Sequence, residues 1–334
     1  MILSFSHTLL LLLFFESFIG YLCRLLFIHS FISCPQNIAK RGNYGAYLLE
    51  QEDTLLTLVN HLLQHLTVPL SVKVRLIPPP AVTMTTTPEE EARLLASFDI
   101  PQASLNLYTK LVDAGVHLLT IHGRTRHEKG MTLVHADWKT IGKAVELLGD
   151  RIPIFANGGI ESYEDVDECL RITNADGIMS SESLLEYPPL FYKIPQVPTR
   201  TIGRLQLTQE YLQLARQYPP HHGGQGSGLK CMRTHVHRFL HADLQDDIDT
   251  RQELIFVQTM EELQTAVDKL QTQHEEQGHM VEQEYLSWYL RHRGNPEVVK
   301  EQFEKSKEVA GCELQDDAAE CFGSLFGNDD DDEY

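Results

Sequence analysis

Leu118-Leu119-Thr120-Ile121-His122 and Ile152-Pro153-Ile154-Phe155-Ala156 are two short apolar runs, joined by a helical stretch from Asp137 to Leu148. Their lengths fit buried strands on either side of one crossover helix, so the segment reads as a strand–helix–strand unit. The alternation extends both ways. Upstream, Leu55, Leu56, Val59, Leu62, Leu63 and Leu66 recur at helical spacing behind a capping Asp53. Val68 to Leu76 then alternates, with Leu70, Val72, Val74 and Leu76 on one face and Ser71, Lys73 and Arg75 on the other. Residues 78–102, rich in Pro, Thr and Glu, read as a loop or insertion, followed by a helix to Ala114. Downstream, Ser162 and Asp165 form a capping box for a helix through Leu170, and a strand follows near Gly177 to Ser180. Four successive units predict a parallel sheet, either doubly wound or curled as a barrel; the pattern by itself supports both.

Beyond Pro198 the strand pattern stops. Tyr211, Leu212 and Ala215, then Val236 to Leu240, then Leu263, Val267 and Leu270 predict helices to about Gly311. A chain of 334 residues holds one large domain and a smaller one. Cysteines 23, 34, 169, 231, 312 and 321 show no paired metal spacing, and they read as free thiols in a reducing compartment. Cys169 shares a helix with Val166 and Leu170 and is expected in the core. The adjacent pair His221-His222 reads as loop, and no metal site is expected. The net charge of -19 argues against a nucleic-acid partner for the chain as a whole. Its distribution reverses that locally: from Phe191 to His241 seven cations stand against one acid, Glu210. Such a basic face can bind RNA with an affinity that weakens as salt rises. The run Asp329 to Glu333 is expected to be solvated and disordered.

Ser33-Cys34-Pro35-Gln36-Asn37-Ile38-Ala39-Lys40-Arg41-Gly42-Asn43-Tyr44-Gly45-Ala46 places a cysteine beside a rigid proline, then two cations, then two glycines that permit a tight backbone path. This stretch resembles the catalytic loop of the tRNA-dihydrouridine synthases, above all the eukaryotic branch acting at positions 16 and 17 of the D loop. Val72-Lys73-Val74-Arg75, Thr120-Ile121-His122-Gly123-Arg124-Thr125 and Phe155-Ala156-Asn157-Gly158-Gly159 resemble the same family in the same order. The resemblance chooses a (β/α)8 TIM-barrel, here about its second half, followed by a helical tRNA-binding domain. It implies flavin mononucleotide (FMN), with Lys73 and His122 near the ring system. Asn157, Gly158, Gly159 and the turn Ser180-Ser181-Glu182 are implied around the phosphate. NADPH or NADH is the implied reductant, the substrate a tRNA uridine, and Cys34 the acid that protonates C5. Lys40, Arg41, Arg75, Arg124 and Arg126, with Lys230, Arg233 and Arg238 of the helical part, are the implied RNA contacts. The protein is expected as a monomer in the cytoplasm or nucleus.

Each of these residues has a plainer reading. Lys73 could face solvent on an open sheet, His122 could cap a strand end, and Asn157-Gly158 could be an ordinary turn. The cluster from Lys230 to His241 could be a solvated helix face. Ser33 and Ser183 stand where the family usually has glycine. The expected divisions are a non-matching hydrophobic lead at 1–33, a partial barrel at 34–195, a helical domain at 196–312 and an acidic tail at 313–334. The lead, with its run Leu9 to Phe15, shows neither a clear positive n-region nor a cleavage site. Glu16, Arg24 and His29 interrupt it as a membrane span. Its Phe, Leu and Ser content fits translated pyrimidine-rich, intron-like sequence, so a wrongly joined first exon is expected, with an anchor as the alternative. The family barrel's first three strands and most of the fourth precede the catalytic cysteine and have no recognisable counterpart here. The chain is therefore expected to be an incomplete reading of an active flavoenzyme. The alternatives are a catalytically dead homologue that retains RNA binding and a membrane-anchored variant.

Overall fold

Leu70–Arg75 alternates branched apolar residues with polar ones and forms an extended strand shielded on both faces, as strands of a parallel sheet require. The computed structural model describes residues 28–31, 35, 37–80, 87–128, 134–191, 203–218, 228–241 and 243–276. Within them five strands, β1 (Ile28–Phe31), β2 (Leu70–Arg75), β3 (Leu118–His122), β4 (Ile154–Asn157) and β5 (Gly177–Met179), form one sheet in the order 1-2-3-4-5. Every pairing is parallel. Helices α1 (Asn37–Arg41) and α2 (Glu52–His65) lie between β1 and β2, with a 3-10 turn at Gly45–Glu50 between the two. The next crossover holds α3 (Pro88–Ser97) and α4 (Ile100–Ala114), and those that follow hold α5 (Trp138–Leu148) and α6 (Tyr163–Thr173). After β5 come α7 (Glu182–Glu186), α8 (Arg204–Gln217), α9 (Gly228–Phe239), α10 (Asp243–Asp246), α11 (Ile248–Phe256) and α12 (Met260–Glu276).

The strand order settles the choice that periodicity left open. A doubly wound sheet reverses direction once, which puts helices on both faces. Here each strand is added beside the last without reversal. Right-handed crossovers then carry the helices to one face. Accordingly α2 packs on α4, α4 on α5 and α5 on α6 as a single layer. Leu70, Val72, Val74, Leu119, Ile121, Ile154 and Ala156 are buried, in one core with Leu55, Val59, Leu107, Leu111, Ile141, Leu148 and Cys169 of the helices. The result is a partial (β/α)8 barrel followed by a helical region.

Cys169 is fully buried, and burial pushes its thiol up to about 12. It is inert core, as its spacing predicts. Two expectations are corrected. Residues 78–102 are not simply loop, because α3 and the first turn of α4 fall inside them. Thr87 caps α3 through a reciprocal box with Glu90, and Pro88 and Pro101 occupy first-turn positions where a missing N–H costs nothing. The sheet also begins inside the stretch assigned to a separate lead, since Ile28–Phe31 pairs with β2 in the register Phe31 to Lys73. Cys34, residues 1–27, His221-His222 and the acidic tail lie outside the described residues. No helix among the described residues is long and apolar enough to cross a membrane.

The helical region is joined to the end of the barrel by a buried charge pair. Arg204 opens α8 and donates to the carbonyl oxygens of Glu186 and Phe239, both at 3.1 Å, and to Glu186 Oε1 at 3.3 Å. Beside it lies His241, its pKa lowered to about 4, and next to His241 lies His237, its pKa lowered to about 3. Burial is the main cause for both; neighbouring cations, including Arg238 and Arg251, add to it. A depressed folded value means that below the ordinary value of about 6.5 the unfolded chain binds protons which the folded chain does not. Stability is therefore retained above that pH and lost as pH falls from about 6.5 toward about 4. The expected slope is about 1.4 kcal/mol per pH unit for each histidine. Urea unfolding of the helical region, followed at pH about 7.5 and about 5, should show a lower midpoint in acid. Equal midpoints would contradict the burial of these two rings.

Candidate active site

Parallel register places residues of neighbouring strands side by side, and residues two apart on the same face. On the face of the sheet away from the helices, Arg75, His122, Asn157 and Met179 form a row across the C-terminal ends of β2 to β5. Lys73, Thr120, Phe155 and Gly177 form the row beneath. Side chains on the opposite face are aliphatic. The polar residues therefore collect where ligands of barrel proteins bind.

His122 is the centre of this face. Its pKa lies well below the ordinary value, chiefly through burial, with Arg75, Lys73 and Arg124 adding repulsion in that order. The ring is neutral at physiological pH. Arg124 Nη1 approaches His122 Nε2 at 3.3 Å. A guanidinium only donates, so Nε2 accepts and the ring carries its proton on Nδ1. Three cations around a neutral imidazole make an electropositive patch at the strand ends, suited to an anionic or electron-rich ligand. Thr120, one layer below, has a buried hydroxyl with no hydrogen-bond partner among the described residues.

The turn after β4 closes over the imidazole. Gly158 and Gly159 have φ of +97° and +76°, a region that L side chains rarely enter. A Cβ on Gly158 would stand 2.7 Å from His122 Cδ2 and 2.9 Å from Nε2. The bare backbone is what allows this approach. Trp138 Nε1 donates to the Gly158 carbonyl at 2.9 Å, and Asn157 Nδ2 donates to the Met179 carbonyl at 2.8 Å. Replacing Gly158 by alanine is expected to cost about 1–3 kcal/mol from backbone strain, and to push His122 out of place. Urea unfolding of the variant checks this; a midpoint equal to wild type would mean that the turn adapts.

The turn at 180–183 folds onto the same loop. Ser180 Oγ and Ser183 Oγ both donate to the Ile160 carbonyl, at 3.1 and 2.7 Å. Ser183 thus directs its hydroxyl into a buried hydrogen bond. Ser181 is exposed and Glu182 half-buried.

The arginines are not placed alike. Lys40 and Arg41 are exposed on α1. Arg75, Arg124 and Arg126 are buried and engaged within the protein. Arg75 Nη1 donates to the Thr125 carbonyl at 3.0 Å, Arg124 Nε donates to the Val134 carbonyl at 2.6 Å, and Arg126 is paired with Glu50. On α9, Lys230 is half-buried, Arg233 donates to the Ile255 and Val257 carbonyls, and Arg238 is buried. Two of its cations are therefore turned inward: Arg233 ties α9 to the end of α11, and Arg238 is buried. Tyr47, Glu50 and Trp138 support the site and carry no periodic or motif signal of their own; Thr120 lies inside a quoted motif, but only its burial singles out its hydroxyl. Among the described residues no group of His, Cys, Asp and Glu is placed to hold a metal ion.

Residues 32–84 and 89–277 match the family model described as dihydrouridine synthase (Dus). A mouse protein named tRNA-dihydrouridine(16/17) synthase (NAD(P)(+))-like is 33% identical over 231 residues, covering 69% of this chain and 41% of the relative. The Saccharomyces cerevisiae tRNA-dihydrouridine(16/17) synthase (NAD(P)(+)) is 30% identical over 226 residues, 67% of this chain and 47% of that protein. The Escherichia coli O157:H7 tRNA-dihydrouridine(16) synthase is 28% identical over 192 residues, 55% and 52% respectively. The chain spans about half the length of these relatives.

Proposed function

This chain belongs to the dihydrouridine synthase family, and on that premise we propose that it serves NAD(P)H-dependent reduction of the uridine C5=C6 bond in the tRNA D loop, at positions 16 and 17. The observation that carries the reading is the neutral His122, ringed by Lys73, Arg75 and Arg124 at the strand ends and roofed by Gly158. A cationic patch, a backbone free of Cβ atoms and a buried unsatisfied hydroxyl fit FMN. When bound there, FMN supplies the hydride for C6.

The chain's own residues do the rest. Lys73 and His122 hold the ring system, with the Nδ1 proton of His122 available as a donor. Asn157, Gly158, Gly159 and the 180–182 turn hold the phosphate through backbone N–H groups. Cys34 holds the proton that passes to C5; a thiol of ordinary pKa is mostly protonated at neutral pH. The target base must leave its stack to reach the strand ends, and the exposed Lys40 and Arg41 of α1 would meet the RNA backbone. Arg75, Arg124 and Arg126 act from inside the protein in this reading, and Lys230 is the cation of α9 assigned to RNA. We assign residues 196–312 as the tRNA-binding helical domain and 313–334 as an acidic tail, with the barrel portion running from β1 to about residue 195. The protein acts as a monomer in the cytoplasm or nucleus.

The test is NADPH oxidation by the purified 334-residue chain, with tRNA that lacks dihydrouridine, together with mass analysis of the D-loop fragment. Oxidation that depends on tRNA, with gain of H2 at the target uridines, is the expected result. A chain that binds tRNA yet leaves its uridines unreduced would overturn it.

A further inference from the structure

The loop that follows Cys34 is tied to the end of β3 by three side chains outside the sheet. Tyr47, in the Gly45–Glu50 turn, donates its hydroxyl proton to the Pro35 carbonyl at 3.3 Å. The Arg126 guanidinium lies over the Tyr47 ring, 5.1 Å from its centroid, and Nη1 is paired with Glu50 at the end of the same turn. Arg126 is itself carried by a fixed segment, because Arg75 grips the preceding carbonyl at Thr125. Asn43 and Gln51 brace the turn with reciprocal amide bonds of 3.2 and 2.6 Å.

We propose that Tyr47, Arg126 and Glu50 form a positioning device that fixes the Pro35 carbonyl, and through it sets where Cys34 and the exposed Lys40 and Arg41 stand at the strand ends. The inference rests on the reading of Cys34 as the proton donor. Proline makes the anchor effective. Its ring locks φ and the peptide bond to Cys34 is planar, so a hydrogen bond on the Pro35 carbonyl restrains the one soft torsion left at that residue. An acid displaced by about 1 Å can lose about 10²-fold in rate. Arginine suits the task because one planar group can lie on a ring and pair with a carboxylate together, which an ammonium does poorly. Arg126, 9% exposed, is thereby a positioning residue and not an RNA contact.

The experiment measures the iodoacetamide alkylation rate of Cys34, resolved by peptide mass analysis, in the full chain and in Tyr47→Phe, Arg126→Lys and Arg126→Met. Tyr47→Phe keeps the ring beneath the guanidinium and removes only the hydroxyl. Thermal unfolding and tRNA-dependent turnover are followed in parallel. A several-fold change in Cys34 alkylation in Tyr47→Phe and Arg126→Met, partial in Arg126→Lys, with unfolding midpoints close to wild type, supports the device. Turnover about tenfold lower in the same variants ties it to catalysis. Alkylation unchanged in all three variants overturns it. Altered alkylation with full turnover supports the anchor while removing Cys34 as the acid, so failure of the functional reading is separately visible.

Discussion

Cys34→Ala is expected to lower tRNA-dependent NADPH oxidation by about 10²- to 10⁴-fold, the range that a positioned general acid contributes. Hydride transfer to C6 leaves electron density at C5 that must be quenched by a proton. An ordinary thiol titrates near 8.5, so at neutral pH it still carries that proton and gives it up more readily than an alcohol. Alanine leaves only solvent to do this. Serine should be nearly as poor, because its hydroxyl is a far weaker acid. In the proposed reaction, reduction of bound flavin by NADPH alone would not use the thiol, so its rate should be kept in both variants. That separates loss of the acid from loss of the cofactor. A wild-type rate of uridine reduction in Cys34→Ala would remove the assignment.

Arg204→Met is expected to destabilise the protein by about 3–5 kcal/mol, the usual cost of stranding one member of a buried pair. Arg204 and Glu186 are 5% and 2% exposed. The guanidinium also serves the carbonyls of Glu186 and Phe239 and lies over the Tyr187 ring, 5.4 Å from its centroid. One side chain thus joins α7, at the end of the barrel, to α8 and α9. Methionine fills much of the space and leaves the Glu186 carboxylate without its cation. The double variant Arg204→Met, Glu186→Leu should recover much of the loss, since exchanging both partners of a buried pair for apolar groups is often neutral. Urea unfolding of the two variants reads this directly. A single variant as stable as wild type would show that the pair does not hold the helical region to the barrel.

Several local signals act as their residue types require. The Ser162–Asp165 box caps α6 as its residue types require. The apolar runs at 118–122 and 152–156 became β3 and β4 with shifts of at most two residues, because a buried parallel strand needs little beyond a short branched run. The differences have equally definite causes. Pro88 reads as a loop signal in a Pro- and Thr-rich stretch, yet proline is at home in a helix's first turn. Ile28–Phe31 sits in an apolar context that hides a strand four residues long, and only pairing with β2 marks it. The cations of α9 counted as charge in the sequence, but three-dimensional neighbours turned Arg233 and Arg238 inward.

The sequence by itself determined the alternation of strands and helices, the burial of Cys169 and the chemical identities at the strand ends. Periodicity, capping and motif spacing act over a few residues and need no partner. Only the tertiary structure decided that the strands add in one direction, that His122 is neutral, and that Arg75, Arg126 and Arg204 serve the protein's interior. Those outcomes depend on groups far apart in the chain: Arg126 meets Glu50 across 76 residues and Arg75 meets Thr125 across 50. Desolvation and pairing between such groups exist only once the sheet has brought them together.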